Sequence, residues 1–238
     1  MFEVLIFSAF AGAMIPLGGW IACHESISPG WLQQEFRHSV IAFGAGALLS
    51  AVALVLVPEG MESLPGVYAI LLFSLGAAAM AGLRSWLSLK GIQKAQMLAM
   101  LTDFLPEAMA MGALFAIGPE ATGPVLALLI GMQNLPESFN AFREAEQMPN
   151  ARTPGRRLIG FALLALVGPA AGLTGFYLLA DFPVLTGAIM CAAAGGILFL
   201  VFQDLAPQAK LETRVAPPLS GVAGFLLGIA GHVLLGAH

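Results

Sequence analysis

The chain comprises 238 residues, 58% of them hydrophobic and 10% charged, with a formal net charge of −4 and a mean hydropathy of +0.87. Soluble domains carry roughly 25% charged residues. The composition therefore excludes a soluble globular protein and implies an integral membrane protein whose partner is the lipid bilayer; no nucleic-acid partner is expected.

A bilayer-spanning helix needs about 20 apolar residues. Runs of that kind predict eight spans in an all-α protein: Val4 to Ala22, Phe36 to Val57, Pro65 to Trp86, Ala95 to Ile117, Pro124 to Phe142, Leu158 to Ala180, Pro183 to Phe202 and Pro217 to Leu235. They form a single transmembrane domain over residues 1–238, with no soluble domain, long linker or low-complexity tract between them. Met1-Phe2-Glu3 offers no positive n-region and the first span no convincing cleavage site, so that span is read as a retained helix.

The basic residues orient the spans. Arg37 follows the first span; Arg84, Lys90 and Lys94 the third; Arg143, Arg152, Arg156 and Arg157 the fifth; Lys210 and Arg214 the seventh. All ten fall on one side, which the positive-inside rule makes cytoplasmic. A multi-pass protein of the cell (inner) membrane is expected, with both termini on the outer, periplasmic side. The outer loops carry only acids, Glu59, Glu62, Glu120 and Asp181, with Glu3 at the N-terminus. This is either the ordinary absence of Lys and Arg from exported loops or a weak cation-attracting vestibule. Cys23 and Cys191 have no Cys-x-x-Cys spacing and read as apolar packing residues.

Polar residues interrupt the fourth and fifth spans in the same way. Asp103-Phe104-Leu105-Pro106-Glu107 and Gln133-Asn134-Leu135-Pro136-Glu137 lie thirty residues apart. A mid-membrane carboxylate costs about 2.5–3.5 kcal/mol, so Asp103, Glu107 and Glu137 together cost about 8–10 kcal/mol unless partners offset it. At i and i+4, Asp103 shares a helix face with Glu107 and Gln133 with Glu137, while Asn134 lies beside Glu137 at i+3. Proline has no N–H, so Pro106 frees the carbonyl of Thr102 and Pro136 that of Met132. Carboxylates, an amide and freed carbonyls at one depth describe a cation site. A proline kink with protonated or hydrogen-bonded acids is the plainer alternative.

These two segments resemble the fourth and fifth helices of the ZIP (Zrt/Irt-like) divalent metal transporters, whose signatures read His-Asn-x-Pro-Glu-Gly and, in bacterial members, Gln-Asp-x-Pro-Glu-Gly. The seventh span supports the resemblance, ending Phe202-Gln203-Asp204-Leu205-Ala206-Pro207 where the family commonly has His-Glu followed by proline. The resemblance implies a 3+2+3 bundle with inverted repeats. It also implies transport of a divalent cation (Zn²⁺, Fe²⁺ or Mn²⁺) by alternating access, with the metal as substrate and no organic cofactor. It places Asp103 at the first-site histidine position, keeps Glu107, Gln133 and Glu137 as metal ligands, and sets Asn134 at the second-site aspartate. Two departures stand out: Phe104 replaces an asparagine ligand, and Gly168, before Pro169, replaces the bridging glutamate. One metal site is therefore expected in place of two. Its ligands are all oxygen, which tilts toward Mn²⁺ or Fe²⁺ without excluding Zn²⁺.

Further polar residues are pathway candidates or ordinary surface groups: Gln203 and Asp204 at the inner end of span seven, Glu59 outside, and His232 near the end of span eight. His24 and His38 read as loop histidines flanking the inner mouth. The loop from Leu87 to Lys94 is too short for a histidine-rich sensor. With no His-Glu-x-x-His or similar motif, no enzyme is expected. A transport-inactive ZIP-like binding or sensory protein stays open because two ligand positions are lost, and a homodimer is compatible with the sequence.

Overall fold

The computed structural model describes residues 1–24, 30–89, 95–117, 122–146, 152–209 and 214–234. Among them there is no strand. The helical rods in chain order are α1 (Phe2–His24), α2 (30–62), α3 (Gly66–Leu89), α4 (Ala95–Ile117), α5 (Thr122–Glu146), α6 (Pro154–Leu179), α7 (Pro183–Ala209) and α8 (Ala216–Leu234). Seven are long and apolar enough to cross a membrane. The exception is α5, the expected fifth span: it has 25 residues, but Gln133, Asn134, Glu137 and Asn140 lower its hydropathy. Lys90, Lys94, Glu120, Lys210 and Leu235 lie outside the described residues.

Two rods run further than the apolar pattern predicts. The second span was expected to end at Val57, leaving Glu59 and Glu62 in a loop, but α2 continues through Pro58 to Glu62. A π turn, Val52–Leu56, absorbs the proline: the Val57 N–H reaches back to the Val52 carbonyl, one residue beyond α-helical register. The same device extends α7 past Phe202. Its π turn, Val201–Leu205, closes with the Ala206 N–H on the Val201 carbonyl just before Pro207. Gln203 and Asp204 consequently sit inside a π turn and not at a helix end.

The buried side chains of α4 and α5, such as Met111, Leu126, Leu129 and Ile130, fill the core. By contrast α3 and α8 expose large apolar residues, Ile70, Leu71, Leu75, Leu219, Val222 and Leu226 among them. Apolar residues outside and polar ones inside is the arrangement a lipid solvent favours.

Packing recurs at fixed sequence offsets. α2 lies along α8 and α3 along α7; α1 packs on α5 and α6, and α4 on α6. In the α2–α8 seam Gly46 meets the backbone of Gly221 and Gly224 that of Phe43, so closely that no Cβ fits at either glycine. In the α3–α7 seam Gly195 meets Phe73 and Gly76 meets Ala192 in the same manner. Phe43, Gly46, the π turn at Val52 and Pro58 thus correspond to Ala192, Gly195, the π turn at Val201 and Pro207, each 149 residues later. Phe73 and Gly76 correspond to Gly221 and Gly224, 148 residues later. Between α1 and α6 the offset is 153: Pro16 matches Pro169, Gly19 beside Phe161 matches Gly172 beside Ser8, and Gly12 touches its own counterpart, Ala165. Pro169 cannot donate to the Ala165 carbonyl, which leaves that oxygen facing Gly12.

Candidate cation site

Both polar segments stay helical through their prolines. Pro136 packs its ring on Gly44 of α2, where an added Cβ would lie 2.8 Å from the ring Cγ. Its counterpart Pro106 borders an apolar crevice of about 300 Å³ between α3, α4 and α7, with Thr102 and Asp103 as its polar lining. The two helices meet side by side, which sets their polar faces against each other.

Glu107 is fully buried, and Asp103, Gln133 and Glu137 expose at most 8% of their surface. Gln133 donates from Nε2 to Glu107 Oε2 at 2.6 Å, across the α4–α5 interface. Asp103 Oδ1, Glu107 Oε1 and Gln133 Oε1 are buried oxygens without a hydrogen-bond partner. Each such atom costs about 1–3 kcal/mol. The charges compound this: Asp103 is repelled by Glu137, Glu107 and Asp204, and Glu137 by Glu107. Asp103, Glu137 and Asp204 line one small cavity of about 30 Å³, with Leu48, Met100, Leu200 and Leu205 as its walls. Among the described residues, no three His, Cys, Asp or Glu side chains converge closely enough to hold one metal ion. The structure thus brings the four expected ligands to one level of the bundle in two facing groups, Gln133 with Glu107 and Glu137 with Asp103.

Neither a protein-family model nor a curated protein matches the chain. The chemistry of the centre must be read from its own residues. Oxygens that lack donors and carboxylates that repel one another are relieved either by protons or by a cation with hard-oxygen preference.

Asn134 stands apart from this group. It lies 100° around the helix from Gln133, and its Nδ2 donates to the Ala11 carbonyl of α1 at 3.0 Å. The two departures from the expected ligand set meet in space. A Cβ on Gly168 would fall 2.8 Å from Phe104 Cζ and 2.7 Å from the Ser8 carbonyl oxygen. Phe104, only 1% exposed, fills the room a residue-168 side chain would enter. Phe104 and Gly168 are one packing solution.

Among the pathway candidates, Asp204 accepts two hydrogen bonds from Arg84, Nε to Oδ2 at 2.9 Å and Nη2 to Oδ1 at 2.7 Å. Gln203 is exposed on the outer surface of the bundle, away from this cavity. Glu59 borders a separate cavity of about 290 Å³ with Glu62, Ser63 and Thr186. His232 is half-buried on α8 and lines none of these cavities. His24 and His38 hold carbonyls of their own helices, Trp20 and Gln34, through Nδ1. Cys23 and Cys191 are free thiols.

Two residues near the centre escaped the sequence reading. Arg84 was seen only as a topology marker, though it bridges α3 to α7. Asn140 was passed over, yet it extends the Gln133 and Glu137 face at i+7 and i+3 and is 1% exposed. Glu144 continues that face beyond the fifth span; burial pushes its carboxyl up, Arg84 and Arg37 pull it down, and Asp204 adds to the rise.

Proposed function

We propose that this chain transports divalent transition-metal cations across the membrane, binding one ion at Asp103, Glu107, Gln133 and Glu137 and exposing it to each side in turn. The observation that carries the reading is the set of unpartnered, buried oxygens on Asp103, Glu107 and Gln133 amid mutually repelling carboxylates. Buried oxygens normally find a partner, and three without one at the centre of an apolar bundle support a ligand there. Oxygen donors alone favour Mn²⁺ or Fe²⁺, and Zn²⁺ remains compatible.

The ZIP-like 3+2+3 arrangement of eight spans is part of this proposal. Offsets of 153, 149 and 148 residues between the contacts of α1–α3 and those of α6–α8 are what two copies of one unit with small length differences would leave. Each counterpart lies five spans further along the chain, an odd step that makes the copies inverted, a construction common in secondary transporters. α5 then serves as the fifth span, its polar face turned to protein and away from lipid. The termini face outward in the inner membrane, following the basic residues.

The test is Mn²⁺ uptake by liposomes holding the purified protein. Uptake should exceed that of empty liposomes and fall on acidification, because protons compete for the carboxylates that must ionise to bind metal. Glu107→Gln, which keeps shape and removes the charge, should abolish uptake in a protein that still elutes as a folded species. Absence of uptake together with absence of Mn²⁺ binding would sink the proposal. A second reading, a transport-inactive metal-binding or sensory protein, is favoured by the Phe104–Gly168 packing and by the lack of a converged ligand cluster. Binding without uptake would select it.

A further inference from the structure

Asn140 is the one side chain among the described residues whose buried donor and acceptor, Nδ2 and Oδ1, both lack a partner. Most other faces of α5 near it are committed to packing. Ser138 donates to the Met14 carbonyl of α1, Phe139 meets Phe36 of α2 edge to face, and Phe142 meets Phe161 of α6 in the same way. Asn134, one helix face away, spends its amide on Ala11. Asn140 has no such use, although a buried amide is normally satisfied. On α5 it follows Gln133 by seven residues and Glu137 by three, so it belongs to the face that carries the cation-site ligands, about one turn nearer the end of the helix. Four residues on, Glu144 lies within the electrostatic reach of Arg84 and Asp204, and Asp204 shares the small cavity with Asp103 and Glu137. Gln133, Glu137, Asn140 and Glu144 therefore form one unbroken polar stripe from the centre of the bundle to the end of α5.

We propose that Asn140 is a binding station for the divalent cation between Glu137 and the inner mouth, offering Oδ1 to the ion as a neutral ligand. This inference rests on the transport reading given above. A neutral amide suits the place, because an ion in transit must be held strongly enough to enter and weakly enough to leave.

The test uses the full chain in detergent and in liposomes, with Mn²⁺ as the probe. Asn140→Leu has nearly the same shape and removes the orphaned amide. Its thermal midpoint without metal should rise, its equilibrium Mn²⁺ affinity should stay near that of the unaltered protein, and its uptake should drop about tenfold or more, the scale on which groups supporting a metal site act. Asn140→Asp, which restores an oxygen donor, should retain more uptake than Asn140→Leu. Unchanged uptake in Asn140→Leu overturns the proposal, and so does a lowered thermal midpoint accompanying the loss, which would mark Asn140 as a structural residue. A different result, Glu107→Gln with undiminished uptake or an unaltered protein that binds no Mn²⁺, would bring down the reading of the centre itself and Asn140 with it.

Discussion

Gly168 shows how a single missing side chain can be a packing requirement. The Ser8 carbonyl stands 2.7 Å from where its Cβ would be, and the obstacle is backbone that cannot swing aside. Gly168→Ala should therefore destabilise the protein by about 1–3 kcal/mol, the usual scale of overpacking. Trimming the other neighbour with Phe104→Leu should fail to restore it. A thermal melt of Gly168→Ala matching the unaltered protein would refute this. The same geometry argues that Gly168→Glu with Phe104→Asn would not rebuild a second metal site. At this scale the shared faces of Asp103 with Glu107 and of Gln133 with Glu137 were legible in the sequence, because i, i+4 spacing fixes them in helices. Asn134 was assigned by its i+3 spacing to Glu137 and by the resemblance, yet it points 100° away from Gln133 and its amide is held by the Ala11 carbonyl. The contact between Phe104 and Gly168 joins α4 to α6, and no local pattern announces it.

The helices themselves were mostly legible, since apolar runs about 20 residues long have few alternatives in a bilayer. Their ends were not. The second and seventh spans were expected to end at Val57 and Phe202, whereas π turns carry α2 and α7 on through Pro58 and Pro207. The sequence did hold a signal of this: Ala45, Gly46, Leu49, Val52, Leu56 and Pro58 recur as Ala194, Gly195, Leu198, Val201, Leu205 and Pro207 at a constant spacing. A search for internal repeats would have paired the two helices before any coordinates existed. The seams between rods also make a contrast within α3. Gly76 abuts the Ala192 backbone, while nothing lies within 4 Å of a Cβ placed on Gly82. Gly82→Ala should stabilise the protein by about 0.5–1 kcal/mol through helix propensity alone. Gly76→Ala should destabilise it by about 1–3 kcal/mol and loosen α3 from α7. Thermal denaturation of the two variants in one detergent decides this, and equal midpoints would contradict the seam.

For the molecule as a whole, the remaining question is which way the bundle faces. α6 offers a ruler: exposed Arg152 precedes it and exposed Asp181 follows it, and its 26 residues span about 39 Å at 1.5 Å per residue, enough to cross the hydrocarbon core with margin. The positive-inside rule puts the Arg152 end in the cytoplasm, where Arg156 and Arg157 reinforce it. Arg157 is buried against the Phe142 ring and bonded to the Phe142 carbonyl, so its charge also caps the end of α5 and serves the fold regardless of orientation. Exposed Arg152 and Arg156 are the better markers of topology, having no such internal role among the described contacts. In a background with Cys23 and Cys191 replaced, Asp181→Cys should react with a membrane-impermeant thiol reagent in intact cells. Arg152→Cys should react only after the membrane is opened. The reverse pattern would invert the bundle, moving the Arg84–Asp204 pair and the Asn140 stripe to the outer mouth and turning the proposed route of the ion around.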